Sequence, residues 1–203
     1  MACTLPEGAD GTEARVLWSD QEEITAEQRK KIFAIIAEIA NWSAHDPEYL
    51  RKNLTKDFLM ANREKLWLSI LSLSSGGGCD KGMASLFIDF LIDFCLENNV
   101  PTSRPLQEYA DDLEKYTYSA LLHKRCIICG KKADLHHCDA IGMGLNRNTK
   151  PQLGARVLSL CRVHHTEYHT IGGAAFGEKY HVVPIALDKR LAAKYGITGR
   201  AAS

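Results

Sequence analysis

Five of the eight histidines and four of the seven cysteines fall between Cys126 and His169. Cys126-Ile-Ile-Cys129 and Cys161-Arg-Val-His164 are two pairs with the same internal spacing. Together they offer three thiols and one imidazole, the tetrahedral donor set of a structural Zn2+. A lone CxxC could serve redox chemistry, but two pairs of matched spacing favour zinc. The 31 residues between the pairs exceed what a plain zinc ribbon needs, so further structure must fold there. Cys138 is spare and is expected to pack.

A second set lies around the first. Leu135-His136-His137-Cys138 suits a strand, on which neighbouring side chains point to opposite faces. One ring can then bind a metal while the other addresses a water or a substrate. His165 and His169 are spaced i, i+4, which puts both on one face of a helix. His164 is left to point toward the zinc set. His136, His165 and His169 can therefore form an open three-ligand site for a catalytic divalent metal (Mg2+, Mn2+, Ni2+ or Zn2+), with His137 beside it. Phosphodiester hydrolysis needs such parts: an imidazole that titrates near neutral pH to activate water, and a cation to stabilise the developing charge.

These residues need elements to position them. Upstream, residues 13–18 (EARVLW) read as a strand after a disordered start at 1–10. Thr25 and Gln28 form a capping box, and Ile32, Ile35, Ile36 and Ile39 mark one helical face. Asp46-Pro47 opens a second helix, with Leu50, Leu54, Phe58 and Leu59 as its buried stripe. Residues 67–73 are ambiguous between strand and helix, and Ser74-Ser75-Gly76-Gly77-Gly78 is a connector. Asp80 caps a third helix running to about Asn98, with Phe87, Leu91, Phe94 and Cys95 on its apolar side and Pro101 beyond its end. Residues 105–123 read as helical again. Cys3, Cys79 and Cys95 have no ligand-like neighbours, and Cys95 reads as a buried small hydrophobe. Residues 187–195 form a short C-terminal helix stopped by Gly196, and Phe176, Tyr180 and His181 are placed to pack against the site.

The chain has 203 residues, with 25 Lys plus Arg balancing 25 Asp plus Glu. The neutral sum hides a division. Residues 1–120 carry 12 basic and 20 acidic side chains, whereas residues 121–203 carry 13 and 5. The basic part also holds the metal-type residues, where a polyanion would be held. Arg125, Lys131, Lys132, Arg147, Lys150, Arg156 and Arg162 are the candidate phosphate contacts. The glycine-rich basic run 142–150 suits a backbone cradle. Arg29, Lys30, Lys31, Arg51, Lys52 and Lys56 could form a local basic stripe within the acidic part. The most apolar stretch, 84–95, contains Asp89 and Asp93 and is too short to span a bilayer. No secretory signal is visible at the start, and the expected location is cytoplasmic.

Residues 126–169, with a tail to about 180, closely resemble the HNH (ββα-metal) endonucleases, in their zinc-stapled branch. The resemblance implies that His137 is the general base, that His136, His165 and His169 are metal ligands, and that products carry 5′-phosphate and 3′-hydroxyl ends. The family's middle Asn is missing ahead of Cys161, where the chain reads Gly154-Ala-Arg156-Val-Leu-Ser-Leu. Asn146 or Asn148 could orient His137 instead. Residues 24–42 and 81–100 are similar to the phage lambda Orf (NinB) recombination mediators. The similarity is carried by Gln28-Arg29-Lys30-Lys31, by Phe87-Ile-Asp-Phe-Leu-Ile-Asp-Phe and by Asn98-Asn-Val-Pro. It implies a homodimer that binds single-stranded and branched DNA.

The expected fold is α+β. A partly disordered N-terminus (1–20) precedes a mainly helical Orf-like domain (21–122), and a zinc-stapled HNH domain follows (123–203). The expected activity is metal-dependent DNA cleavage in phage recombination or replication. The expected partners are DNA (single-stranded, duplex or branched), a second copy and a single-strand-binding protein, with no membrane. Two readings compete: a weakly catalytic or non-catalytic DNA-binding mediator with a structural zinc module, and a zinc-stapled interaction module with no nucleic-acid role.

Overall fold

The structure is a computed structural model that describes residues 23–62, 79–138 and 153–197. The strand expected at 13–18, the ambiguous run 67–73, the 74–78 connector and the 142–150 loop lie outside the described residues. So do Asn146, Arg147, Asn148 and Lys150. Cys138, the spare thiol, is half-buried and packs against the core.

Helix α1 (Ala26–Ser43) begins at the expected capping box: the Gln28 amide donates to Thr25 Oγ1 at 3.0 Å, and Gln28 Oε1 accepts from the Thr25 amide at 3.2 Å. Its isoleucine stripe is wholly buried. Helix α2 (Pro47–Ala61) starts at Asp46, whose carboxylate accepts from the Tyr49 amide. Helix α3 (Lys81–Asn98) is capped by Asp80 and packs along α1. Phe58 of α2 meets Phe87 and Phe90 of α3 with ring centroids 5.2 and 5.6 Å apart.

The helical reading of 105–123 resolves into two pieces. A 3-10 turn at Leu106–Tyr109 is followed, after a break at Ala110-Asp111, by helix α4 (Leu113–Leu122). Asp112 provides the new N-cap and accepts from the Glu114 and Lys115 amides. Asp111 is drawn away to the Lys31 ammonium at 2.7 Å and to the Ser85 hydroxyl at 2.8 Å. Two adjacent acids with different partners thus start a new helix rather than continue one.

Strands β1 (Asp134–His137) and β2 (Arg156–Leu160) pair antiparallel, with His136 opposite Leu158 and His137 opposite Val157. Helix α5 (Arg162–Ile171) follows β2 directly, and helix α6 (Gly173–Tyr180) folds back on it. The short strand β3 (Ile185–Ala186) adds to the far side of β2, giving a three-stranded antiparallel sheet in the order β1-β2-β3. Helix α7 (Lys189–Lys194) closes the described chain and ends near Gly196, at φ +67°. Seven α-helices and one small sheet among the described residues make the fold α+β.

One buried apolar cluster runs from Ile24 and the α1 isoleucines through α3 to Cys126, Ile127, Leu158, Leu160 and Phe176. A smaller one gathers Leu121, Val157, Leu187 and Leu191. Helix α4 links them, packing against α3 on one side and β2, β3 and α7 on the other. No described helix is long and apolar enough to cross a membrane.

Candidate metal centres

Cys126 and Cys129 lie on a tight turn. The Cys126 amide donates to the Lys131 carbonyl at 2.7 Å, and the Gly130 amide donates back to Cys126 at 2.8 Å. Gly130 sits at φ +66°, a conformation that side chains disfavour, so glycine completes the turn. Two bonds fix the turn to its surroundings: the Ile127 amide donates to the Ser159 carbonyl at 3.0 Å, and the Tyr116 hydroxyl donates to the Ile127 carbonyl at 2.9 Å. The second pair sits where β2 becomes α5, with Cys161 at the N-cap and His164 one turn in.

These elements bring Cys126, Cys129, Cys161 and His164 together. Cys126 Sγ is 3.4 Å and Cys161 Sγ 3.3 Å from His164 Nδ1, and the Cys129 and Cys161 sulfurs are 3.7 Å apart. Tetrahedral zinc with bonds of roughly 2.3 Å to sulfur and 2.0 Å to nitrogen has edges of about 3.8 and 3.6 Å, so the donors are spaced to hold one ion. Burial raises the Cys126 thiol to about 12, and only a bound cation would ionise it at neutral pH. Burial also opposes ionisation of Cys161. The His164 amide, the Cys129 and Cys126 thiols and the Val163 amide outweigh it and bring Cys161 below the ordinary thiol value.

The second set is built from β1 and α5. His136, His165 and His169 have ligand atoms all within 4.8 Å of one another. The ring centroids of His136 and His165, and of His165 and His169, are 4.7 Å apart, and those of His136 and His169 are 5.1 Å apart. His136 is 3% exposed, and its Nε2 has no hydrogen-bond partner among the described residues. A buried imidazole nitrogen in that state is costly unless something coordinates it. Burial, then the neighbouring His165, His169 and His137, push the His136 pKa down to about 4. Its ring is therefore neutral at neutral pH, the form that ligates metal. Burial lowers His165 as well. The residues fit a divalent cation held by three imidazoles.

His137 is adjacent on β1 and half-buried. Arg156, Arg162, Lys131 and Lys132 are exposed, whereas Arg125 is half-buried with its Nε donating to the Leu96 carbonyl. In the expected basic stripe of α1 and α2, Lys31 pairs with Glu27 and Asp111, and Arg51 and Lys52 pair with Glu48.

The chain thus holds a Cys3His set, a separate trio of imidazoles and a β-β-α order. A family model described as Putative HNHc nuclease matches residues 2–196. The chain belongs to this HNH nuclease family. No curated protein and no solved structure matches it. The family match spans the helical part as well as the part of this HNH chain that carries the candidate metal ligands, and it makes nuclease chemistry the frame for the site.

Reading the spacing alone misses Tyr168. Its ring packs edge-on against His136 at 4.2 Å and against Phe176 of α6 at 5.2 Å. A Cβ on Gly173 would overlap the Tyr168 hydroxyl and come within 2.9 Å of Cζ, so glycine there leaves room for the ring. The signal was present, since Tyr168 is three residues after His165 on the same helical face. Of the trailing residues, Phe176 is buried, and Tyr180 lies 5.6 Å from the His164 ring with its hydroxyl on Glu167. The His181 carbonyl accepts from Gln107.

Proposed function

We propose that this HNH chain is a metal-dependent endonuclease that hydrolyses DNA phosphodiester bonds with His137 as general base. The observation carrying the proposal is the convergence of His136, His165 and His169, with His137 next to His136 on β1 and a separate Cys3His set. Cys126, Cys129, Cys161 and His164 would hold structural Zn2+, which does no chemistry and keeps the 126–131 turn, β2 and α5 in register. His136, His165 and His169 would hold the catalytic divalent metal, which supplies charge stabilisation to the pentavalent phosphate and the leaving 3′ oxygen.

The chain's own groups do the rest. The His137 imidazole accepts the proton of the attacking water, which adds in line to phosphorus. Because β1 alternates its faces, His137 would stay off a metal that His136 would hold. Cleavage leaves 5′-phosphate and 3′-hydroxyl ends. Arg156 and Arg162, at the start of β2 and of α5, supply phosphate contacts, together with Lys131 and Lys132. From the sequence alone, Asn146 or Asn148 would orient His137, and Arg147 and Lys150 would add backbone contacts.

A role in phage recombination or replication, and a homodimeric state, rest on the resemblance of 24–42 and 81–100 to the lambda Orf family. Exposed Phe33 and Trp42 on α1 and Tyr49 and Met60 on α2 supply apolar area for self-association. The deciding experiment incubates the protein with supercoiled plasmid, single-stranded and branched DNA under Mg2+, Mn2+, Ni2+ or Zn2+. Metal-dependent nicking is expected. Binding without cleavage under every metal would instead favour a DNA-binding mediator with a structural zinc module.

A further inference from the structure

A cleft of about 460 Å3 lies between the end of α3 with its following loop and the 126–131 turn. Its walls include the apolar side chains of Leu96, Val100 and Ile128, and Cys129 of the zinc set lines it on one side. Three cations line it as well: Arg104 from the loop after α3, Arg125 ahead of the turn, and Lys131 at its end. No aspartate or glutamate lines it among the described residues. The nearby Glu38 carboxylate is already taken up by the Ser103 amide and hydroxyl. None of the three cations makes an ion pair among the described residues, in contrast to Lys31, Arg51 and Lys52 on α1 and α2.

An apolar cleft rimmed by cations that make no ion pair among the described residues fits a ligand with one weakly polar part and one anionic part. Its volume lies in the range of small-ligand pockets, enough for one nucleotide. We infer that this cleft holds one unpaired nucleotide of the DNA strand, with the base against Leu96, Val100 and Ile128 and its phosphates on Arg104, Arg125 and Lys131. The inference rests on the nuclease reading for its choice of DNA, and it narrows the substrate. A strand with an unpaired stretch can place a base there, whereas in an intact duplex every base is paired and stacked and stays out of the cleft. The site also explains an isolated feature of the acidic half. Arg104 is the one residue of residues 1–120 that adds a cation to this cleft. The helical part would thereby take a direct share in DNA binding.

The test measures binding without added catalytic metal, so that a protein that binds but does not cut still gives an answer. Fluorescence anisotropy compares a labelled single-stranded 20-mer with its duplex, for the unaltered protein and for Arg104→Glu. Zinc content and thermal melting establish that the variant is folded. The expected result is a roughly tenfold weaker Kd for the single strand and less than about a twofold change for the duplex, since only the strand uses the cleft. A single-stranded oligonucleotide carrying 5-iododeoxyuridine is also crosslinked to the unaltered protein. Crosslinks are expected in the peptides that contain Leu96 to Leu106 and Arg125 to Lys131. Equal losses on both DNAs, no loss on either, or crosslinks confined to other peptides would overturn the proposal. If thymidine 5′-monophosphate binds while Arg104→Glu leaves the single-strand Kd unchanged, the cleft serves a free nucleotide and the proposal is also wrong. Failure of the nuclease reading shows up elsewhere, as absent cleavage in the metal-dependent assay.

Discussion

Residue by residue, the two candidate metal centres differ in what they ask of their neighbours. The Cys3His donors are fixed by backbone bonds and by the start of α5, whereas the three histidines depend on side-chain packing. His136 is seated between the α5 histidines and the Tyr168 ring. Replacing Gly173 by alanine should push the Tyr168 ring toward His136 and loosen the trio. The expected outcome is weaker catalytic-metal binding, read by titration of Co2+ absorbance, with one zinc per chain retained by elemental analysis. Loss of both metals together would mean that the fold, and not His136, had been disturbed. His165→Ala should likewise remove catalytic-metal binding and leave the zinc in place, because His164, about 100° further round the helix, belongs to the other set.

At the scale of elements, charged caps and buried ties decide where helices begin. Asp111 accepts from Lys31, Ser85 and Gln28 and so joins α1, α3 and the segment ahead of α4. Burial works against its charge, but these partners outweigh burial and hold its pKa below the ordinary carboxylate value. A carboxylate depressed in this way adds stability above its unfolded pKa. That stability is lost as pH falls through the folded value, below about pH 4. Asp111→Asn should therefore lower Tm at neutral pH by about 2–4 °C, for roughly 1 kcal/mol lost. The difference from the unaltered protein should close as the pH is taken down toward 3. A difference that is constant with pH would assign the effect to shape and not to charge.

Much of this level is legible in the sequence, because it is local. The Thr25–Gln28 box, Asp46-Pro47 and Asp80 mark helix starts through contacts within four residues, and the structure places α1, α2 and α3 there. The pairing of the two knuckles is legible because metal donor sets have fixed arithmetic. The break at Ala110-Asp111 is not, since it depends on Lys31 and Ser85, distant in the chain. Tyr168 against His136, and the cleft that collects Arg104 with Lys131, are tertiary facts of the same kind.

Over the whole molecule, the charge division and the packing do not follow one line. The sign of the charge changes at Lys124-Arg125, yet the buried apolar cluster continues across that point into Ile127, Leu158 and Phe176. Cys126 and Cys161 of the Cys3His set lie on this continuous core, so removing a zinc held there should affect more than the proposed nuclease site. Chelation with 1,10-phenanthroline should lower Tm far more than His165→Ala does, since structural zinc contributes on the order of 10 kcal/mol of folding free energy in small zinc modules. Differential scanning calorimetry reads both, and equal small shifts would show that the core stands without zinc.

The central claim is that this HNH chain cuts DNA with His137 as base at a metal held by His136, His165 and His169. The most direct measurement is single-turnover nicking of supercoiled plasmid by the unaltered protein and by His137→Ala, with zinc and catalytic-metal content measured on both. His137→Ala should lower the rate by about 10²–10⁴-fold, with the contents of both metals unchanged. Equal rates for the two proteins would contradict the claim.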